Sequence, residues 1–331
     1  MAEGITLAEL GEQQLLHRLS RFAPPGQWND DAALLPNSAS DQWVISSDAL
    51  VEGVHFSEAT TPPRSIGWRA AAANLSDLAA MGCCSGYGLT VALAAPPSTA
   101  YGWVEEVYEG MAAALAKHGG LLLGGDCTRA PLRMLAITAV GSVDPSRTLR
   151  RGVGQAGDRL VVSGAHGWSR LGLAVLAGEQ LPPGIDNQQR ALAVERHRHP
   201  QPRFDAVAAL RASQPPDQAW RVAGTDSSDG LLRSLELLGD SSGLQPQLER
   251  DCLPLPEGCP TDPAVQSACL EGGEDFELVL ALNPGWAEAF INLLPGSRSI
   301  GWLGTSAGRP CWADTGEPLP SGRGFEHFQR A

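Results

Sequence analysis

Apolar residues recur along the chain with two spacings, one typical of helices and one typical of strands. Residues 65–82, "SIGWRAAAANLSDLAAMG", and residues 102–120, "GWVEEVYEGMAAALAKHGG", follow a helical spacing, and each segment ends in glycine. Short apolar or alternating runs predict strands in "QWVISSD", "YGLTVALAA", "GLLLGGD" and "RMLAITAVGSV". Because strands and helices interleave, the pattern predicts an α/β or α+β fold.

A glycine-rich segment divides two stretches of similar character. Residues 147–158, "RTLRRGVGQAGD", precede a new strand in "DRLVVSGA" and so predict a domain boundary. Beyond this segment, helical spacing returns at 168–178, 186–197, 203–213 and in "SSDGLLRSLELLGDSSG", and "EDFELVLALN" predicts a strand. A chain of 331 residues exceeds the usual size of one domain, so we expect an N-terminal domain at 1–148 and a C-terminal domain at 149–331.

The composition of the chain argues against several classes of binding partner and compartment. A net charge of -13 and a sequence pI near 5.0 argue against nucleic acid or an anionic membrane as a partner. No apolar run approaches the roughly 18 residues of a membrane span. The first residues lack the basic-then-apolar order of a signal peptide, and a cytoplasmic protein is expected. The seven cysteines lack disulfide or zinc-ligand spacing and are expected to be reduced.

A subset of the acidic residues stands beside Gly, Ser or Asn and next to strongly apolar sequence. These positions are Asp30 and Asp31, Asp48, Asp77, Asp126, Asp226 and Asp229, and Glu274 and Asp275. Any one of them is typical of a turn residue or helix cap, and Asp229 could cap the helix that follows it. Together they predict carboxylates that converge from strand ends and helix starts. A like-charged pair about 4 Å apart costs on the order of 4 kcal/mol at an effective dielectric near 20, so cations are expected among them.

The expected cations are metal ions. Lys117 is the only lysine, and the arginines are scattered. Hard oxygen ligands select Mg²⁺ or Ca²⁺ over Zn²⁺, and no EF-hand loop is present. Since Mg²⁺ takes one or two carboxylates and completes its shell with water and phosphate, the acids predict several Mg²⁺ ions and a polyphosphate substrate.

Phosphate groups would be held without a common nucleotide motif. The sequence has no G-x-x-x-x-G-K-[ST], and "GVGQAG" precedes a strand rather than following one, which excludes a dinucleotide site. The remaining candidates are backbone N–H groups at Gly124 and Gly125 and after Ser228, with the Arg151 guanidinium. The chain has no G-x-S-x-G, and His55 either packs or contacts ligand, so no catalytic base or nucleophile is predicted.

The motifs "SSDALVEGVHF", "NLSDLAAMG", "GGDCTR", "RHRHPQPR", "SDGL" and "GGEDFEL", in this order, resemble the thiamine-monophosphate kinase family over nearly the whole chain. That family belongs to the superfamily of aminoimidazole ribonucleotide synthetase and selenophosphate synthetase. The resemblance implies two domains of mixed sheets flanked by helices, with N-terminal domains paired in a homodimer. It also implies ATP-dependent phosphorylation of thiamine monophosphate to thiamine diphosphate with several Mg²⁺ ions. Another ATP-dependent synthetase of the superfamily, or a non-catalytic nucleotide-binding protein, is the alternative.

The resemblance also implies roles for individual residues. Metal ligands are expected at Asp31, Ser46, Ser47, Asp48, Asp77, Asp126 and Asp226, with Asp229 on a further ion. Tyr108, Gly125, Arg151 and Ser228 match ATP-contacting positions, beside Gly124. His55, Glu274 or Asp275, and Phe325 match positions around the thiamine phosphate. Asn29 stands where the family usually has glycine, and Arg151 lies in a looser motif than the usual R-x-G-A.

Overall fold

The computed structural model describes residues 30, 33–36 and 41–320, and in this part of the chain eleven strands form two sheets. The first sheet comprises β1 (Ala33–Pro36), β2 (Gln42–Val51), β3 (Gly86–Ala95), β4 (Leu121–Arg129) and β5 (Met134–Val143). Its order is β1-β2-β5-β3-β4. Only the β3–β4 pair is parallel, so the sheet is mixed.

Two helices, α1 (Pro63–Ala80) and α2 (Tyr101–His118), pack on one face of the first sheet. α1 is buried on almost every side because it contacts β2, β5, α2 and parts of the second half of the chain. Its run of alanines allows these close approaches. The opposite face of the sheet is not covered by any described element: Ser47, Ala49, Thr90 and Ala92 are exposed there.

The second sheet is built after residue 158. Its strands are β6 (Arg159–Val162), β7 (Ala223–Asp226), β8 (Pro246–Leu248), β9 (Leu278–Leu282), β10 (Arg298–Leu303) and β11 (Cys311–Trp312). The order is β11-β8-β10-β6-β9-β7, with a parallel pair only at β8–β11.

Six helices accompany this sheet within the described residues. They are α3 (Trp168–Leu176), α4 (Asn187–Arg198), α5 (Phe204–Ala212), α6 (Leu231–Ser242), α7 (Pro263–Glu271) and α8 (Pro284–Leu293). No described helix combines the length and apolarity needed to cross a bilayer.

The two halves share a hydrophobic core. Ile66, Leu75 and Ile137 of the first half belong to the same buried cluster as Leu278 and Trp286 of the second. α1 also contacts β7, and this places its C-terminal turn against the end of that strand. The sheets separate within residues 144–158, and the assignment of two domains at 1–148 and 149–331 stays a prediction.

The α/β class and the predicted helices are confirmed, with ends shifted by a few residues. The sequence pattern missed α7 and α8, each of which begins at a proline after a side-chain cap, Asp262 or Asn283. It also missed β1, β7, β8, β10 and β11, because strands this short show no clear alternation and depend on pairing with distant residues.

Candidate active site

Asp226 is the most buried of the predicted metal ligands in the described chain. It ends β7 with 3% of its surface exposed. Its Oδ2 accepts a hydrogen bond from Ser76 Oγ at 2.5 Å, and its Oδ1 accepts one from Ser228 Oγ at 2.9 Å. Burial raises the pKa of Asp226, and the two serine hydroxyls oppose that rise. Because Ser76 lies on α1, this carboxylate joins the two halves of the chain.

The last turns of α1 carry the rest of this group. The Asp77 carboxylate accepts a hydrogen bond from Ser46 Oγ on β2, and the Asp48 N–H donates to Asn74 Oδ1 at 3.1 Å. Ser46 and Asp48 are two residues apart on β2, so their side chains lie on the face toward α1. Residues 74–77 therefore connect the central part of β2 with the end of β7. They bring four predicted ligands to one region, called the Asp226 group below: Ser46, Asp48, Asp77 and Asp226.

Ser47 lies on the other face of β2. Its Oγ donates to the Ile137 carbonyl at 2.8 Å and accepts from Thr138 Oγ1 at 3.4 Å. The strand alternation that directs Ser46 and Asp48 toward α1 directs Ser47 away from it. A metal-binding role for Ser47 stays a prediction, and its side chain does not face the Asp226 group.

Asp126 lies far across the sheet from Asp48. Strand register places Asp48 level with Ile137, Val91 and Gly125 on successive strands, and Asp126 is the next residue along β4. Three strand spacings separate β2 from β4, roughly 14 Å. Among the described residues, no three His, Cys, Asp or Glu side chains are close enough to hold one metal ion.

The expectation that the acids lie at strand ends and helix starts was wrong at three positions. Asp48 lies inside β2, Asp126 inside β4 and Asp77 inside α1. Asp48 and Asp126 do not lie on adjacent strands, because β5 and β3 lie between β2 and β4. Local sequence pattern carries no information on strand order.

β4 forms an edge of the sheet with predicted nucleotide contacts along it. Gly124, Gly125 and Asp126 are exposed, as are all residues of β4. Gly125 has a φ of 157°, and a Cβ there would lie 1.8 Å from the Val91 carbonyl oxygen, so only glycine fits. Tyr108 on α2 is half-buried, and burial raises the pKa of its hydroxyl, with the neighbouring Cys127 thiol acting in the same direction.

Asp30 is held beside the segment that joins the halves. Its carboxylate accepts from Arg150 Nη1 at 3.0 Å and from the Arg151 N–H at 3.1 Å. Arg151 Nε donates to Thr225 Oγ1 at 3.3 Å, which places its guanidinium beside Asp226. Asp31 and Phe325 lie outside the described residues.

The "SDGL" and "GGED" motifs pack against each other. Asp229 is exposed, and the N-cap residue of the next helix, α6, is Gly230 rather than Asp229. The Ser228 carbonyl accepts the Glu274 N–H at 2.7 Å. A Cβ on Gly273 would lie 2.6 Å from that carbonyl oxygen, so glycine permits this approach.

The two acids of "GGED" are engaged differently. Asp275 accepts the N–H groups of Gly167 at 2.5 Å and Ser169 at 2.9 Å, both at the start of α3. Burial raises its pKa to about 7, against the effect of these hydrogen bonds. Glu274 accepts from Arg69 Nη2 at 2.5 Å, and its side chain remains 36% exposed. Of the two, Glu274 has the carboxylate that is open to a ligand.

His55 is placed as a hydrogen-bond donor. Its Nδ1 accepts the Val51 N–H at 3.0 Å, so the neutral ring carries its proton on Nε2. Its carbonyl accepts from Arg69 Nη2 at 3.2 Å.

The motif-based hypotheses missed four residues: Arg69, Asn74, Ser76 and His197. Asn74 and Ser76 lie in "NLSD" beside Asp77, and His197 lies in "RHRHPQPR", so these motifs were the available signal. Arg69 lies outside every quoted motif.

The comparisons with known proteins agree with this architecture. The family model "AIR synthase related protein, N-terminal domain" matches residues 29–143. A thiamine-monophosphate kinase of Synechococcus elongatus is 46% identical over 98% of each chain, and one of Prochlorococcus marinus is 43% identical over 97% of each. A solved structure, AaThiL complexed with AMPPCP and TMP, covers 99% of this chain and 100% of its own at 26% identity, with a TM-score of 0.83. The resemblance in the motifs is confirmed, and the chain belongs to the thiamine-monophosphate kinase family.

Proposed function

We propose that this protein transfers the γ-phosphoryl group of ATP to thiamine monophosphate, producing thiamine diphosphate and ADP. The observation that carries the proposal is the Asp226 group, in which a buried carboxylate is joined by serine hydroxyls to both halves of the chain. The relatives carry the name of this kinase, and AaThiL holds an ATP analogue with TMP. The second reading, a nucleotide-binding protein without turnover, would bind ATP at the same oxygen groups and would form no thiamine diphosphate.

The donor chemistry of the Asp226 group fits Mg²⁺. Carboxylate and hydroxyl oxygens are the protein ligands that Mg²⁺ takes, and a buried carboxylate with a raised pKa gains from a nearby cation. Ser46, Asp48, Asp77 and Asp226 would hold such ions, with Asp31, Ser47, Asp126 and Asp229 as further ligands. When bound, Mg²⁺ would neutralise phosphate charge.

The nucleotide and the acceptor would be held by different parts of the chain. Tyr108 would contact the base, the N–H groups of Gly124 and Gly125 the phosphates, and Arg151 and Ser228 the phosphates from the Asp226 side. At the acceptor, His55 Nε2–H would donate a hydrogen bond and Glu274 would accept one, while Asp275 caps α3. Phe325 would stack on an aromatic ring of the thiamine moiety.

No protein nucleophile or general base is needed for the transfer. The acceptor phosphate is already anionic at neutral pH, so its oxygen can bond directly to the γ-phosphorus as the bond to the bridging β–γ oxygen breaks. ADP leaves with the electron pair of that bond. The protein would act by alignment and by charge placement. A phosphorylated enzyme intermediate or ping-pong kinetics would contradict this scheme.

We further propose that the working form is a homodimer in which β4 of one protomer completes the site of the other. Within one chain, Asp126 is roughly 14 Å from the row of Asp48. β4 is exposed along its whole length and carries Leu121, Leu122 and Leu123 on the surface. An exposed edge strand beside an uncovered sheet face is what a second copy would cover.

Mixing two inactive variants tests this arrangement. Asp48→Asn and Asp126→Asn should each be inactive alone as homodimers. If β4 acts across the interface, a heterodimer has one site with both changes and one site with neither. After subunit exchange at equal amounts, half of the dimers are mixed, so about a quarter of the wild-type activity should return. No recovery after verified exchange would show that the two aspartates serve the same protomer's site.

The direct test of the reaction is to incubate the purified protein with ATP, Mg²⁺ and thiamine monophosphate. Thiamine diphosphate and ADP should form in equal amounts, and thiamine itself should not be phosphorylated. ATP binding without thiamine diphosphate would support the non-catalytic alternative. We place the reaction in the cytoplasm, a reducing compartment that suits seven free cysteine thiols.

A further inference from the structure

Arg69 is a buried cation between the two halves of the chain. It lies in the middle of α1 with 4% of its surface exposed. Its guanidinium reaches three partners: Glu274 Oε1 at 2.5 Å, the His55 carbonyl oxygen at 3.2 Å and His197 Nε2 at 2.7 Å. Two of these belong to the residues expected around the acceptor, and the planar fork of an arginine fixes their directions.

The contact with His197 defines the state of that ring. Arginine only donates, so His197 Nε2 accepts, and Nδ1 carries the proton and donates to Ser169 Oγ at 3.0 Å. Burial, with Arg69 acting in the same direction, lowers the pKa of His197 to about 4. The ring is therefore neutral near pH 7 and adds no positive charge beside the guanidinium. Since the Ser169 N–H donates to Asp275, the chain of contacts extends to the cap of α3.

The Glu274 backbone is itself constrained. Glu274 has a φ of 65° and Phe276 a φ of 53°, conformations that cost a non-glycine residue on the order of 1–3 kcal/mol. Such backbone persists where surrounding contacts enforce it, and here those contacts are the Ser228 carbonyl and Arg69. The side chain nevertheless keeps 36% of its surface exposed.

We propose that Arg69 is the positioning residue of the acceptor site. By binding both the Glu274 carboxylate and the His55 carbonyl, it holds these two residues at the separation that thiamine monophosphate requires. This inference rests on the proposed function. Arg69 is too buried to serve as a phosphate ligand, and its effect would pass through Glu274 and His55. It should therefore control affinity for thiamine monophosphate and leave affinity for ATP unchanged.

Four variants test this role: Arg69→Met, Arg69→Lys, Glu274→Gln and Arg211→Met. Arg211 is the matched control, because it also joins the halves, donating to the Gly82 carbonyl at 2.8 Å, but contacts none of the site residues. Arg69→Met should raise KM for thiamine monophosphate at least tenfold and change KM for ATP less than twofold. Arg69→Lys should fall between it and the wild type, since an ammonium group can reach one partner but cannot replace the fork.

The double variant Arg69→Met/Glu274→Gln should raise KM for thiamine monophosphate by less than the product of the two single effects, because the two changes share the Arg69–Glu274 contact. Arg211→Met should lower Tm without moving either KM. A KM for thiamine monophosphate within twofold of wild type in the Arg69 variants would overturn the inference, and so would an equal rise in Arg211→Met or parallel rises for ATP. If Arg69→Met does not fold, Arg69→Lys decides by the same criteria.

The wild type separates this inference from the proposed function. If the wild type forms no thiamine diphosphate, the proposed kinase reaction is rejected, but the positioning role of Arg69 is not. Calorimetric binding of thiamine monophosphate to wild type and Arg69→Lys would then still test the positioning role, which equal affinities would reject.

Discussion

Replacing Asp226 by asparagine should separate the functional role of this carboxylate from its effect on stability. Both oxygens accept from serine hydroxyls, at 2.5 and 2.9 Å, and an asparagine has nearly the same shape. One serine can rotate to accept from the new amide, so both contacts survive in weaker, uncharged form, at a cost on the order of 1 kcal/mol each. Removing a buried charge returns several kcal/mol of desolvation, which exceeds the lost attraction to the Arg151 guanidinium. Without Mg²⁺ we expect a net gain of about 1–2 kcal/mol, a few degrees in Tm.

Binding of Mg²⁺ and nucleotide should make the wild type more stable than Asp226→Asn. A ligand at 100 times its Kd stabilises the folded state by about 2.7 kcal/mol, and Asp226→Asn should lose most of that gain for Mg²⁺ with a non-hydrolysable ATP analogue. Turnover should fall by at least about 100-fold, more than is typical for loss of a group behind the metal ligands. The measurements are thermal melts with and without Mg²⁺ and nucleotide, followed by steady-state kinetics.

Asp158 offers a matched control, because it is also 3% exposed but lies against Arg221, at 2.5 and 2.9 Å. Asp158→Asn breaks a structural ion pair and should destabilise the protein by about 3 kcal/mol, with or without Mg²⁺. It should leave both KM values unchanged. The reasoning is refuted if Asp226→Asn keeps turnover within tenfold of wild type, or if it responds to Mg²⁺ and nucleotide as the wild type does.

Three further predictions follow from single contacts. Burial raises the pKa of Asp275 to about 7 in the folded chain, against 3.8 for a free carboxyl, so between about pH 4 and 7 the folded chain holds a proton that the unfolded chain has lost. The free energy of unfolding should therefore fall as the pH rises through this window, and Asp275→Asn should flatten the dependence of Tm on pH there. His55→Ala should raise KM for thiamine monophosphate or lower kcat, and kinetics equal to wild type would assign His55 to packing alone. Gly273→Ala places a Cβ 2.6 Å from the Ser228 carbonyl and should lower Tm and weaken thiamine monophosphate binding, whereas unchanged melts would show that the loop yields freely.

Much of the local structure follows from short-range pattern. The predicted helices at 65–82 and 102–120 correspond to α1 and α2, because small and apolar residues recur at helical spacing and glycines follow each helix. The "SDGL" and "GGED" motifs identified residues that the structure brings together. The short strands β1, β7, β8, β10 and β11 escaped prediction, because pairing with distant residues stabilises such short elements.

The geometry of the site required the tertiary structure. Asp48 and Asp126 are both aspartates in polar settings beside apolar runs, and only the order β2-β5-β3-β4 shows that two strands separate them. Glu274 and Asp275 are adjacent acids, and only the fold directs one toward Arg69 and the other to the start of α3. Arg69 itself has no distinctive pattern in the alanine-rich "GWRAAAA".

By itself, the sequence determined the α/β class, the main helices, the motifs of the family and the set of acidic residues, since these depend on composition and on local periods of 3.6 and 2 residues. The tertiary structure decided which acids meet, which face of β2 each side chain takes, and that one buried arginine joins the acceptor residues. These features arise from strand order, register and the packing of α1 against β7, which depend on contacts between residues far apart in the chain.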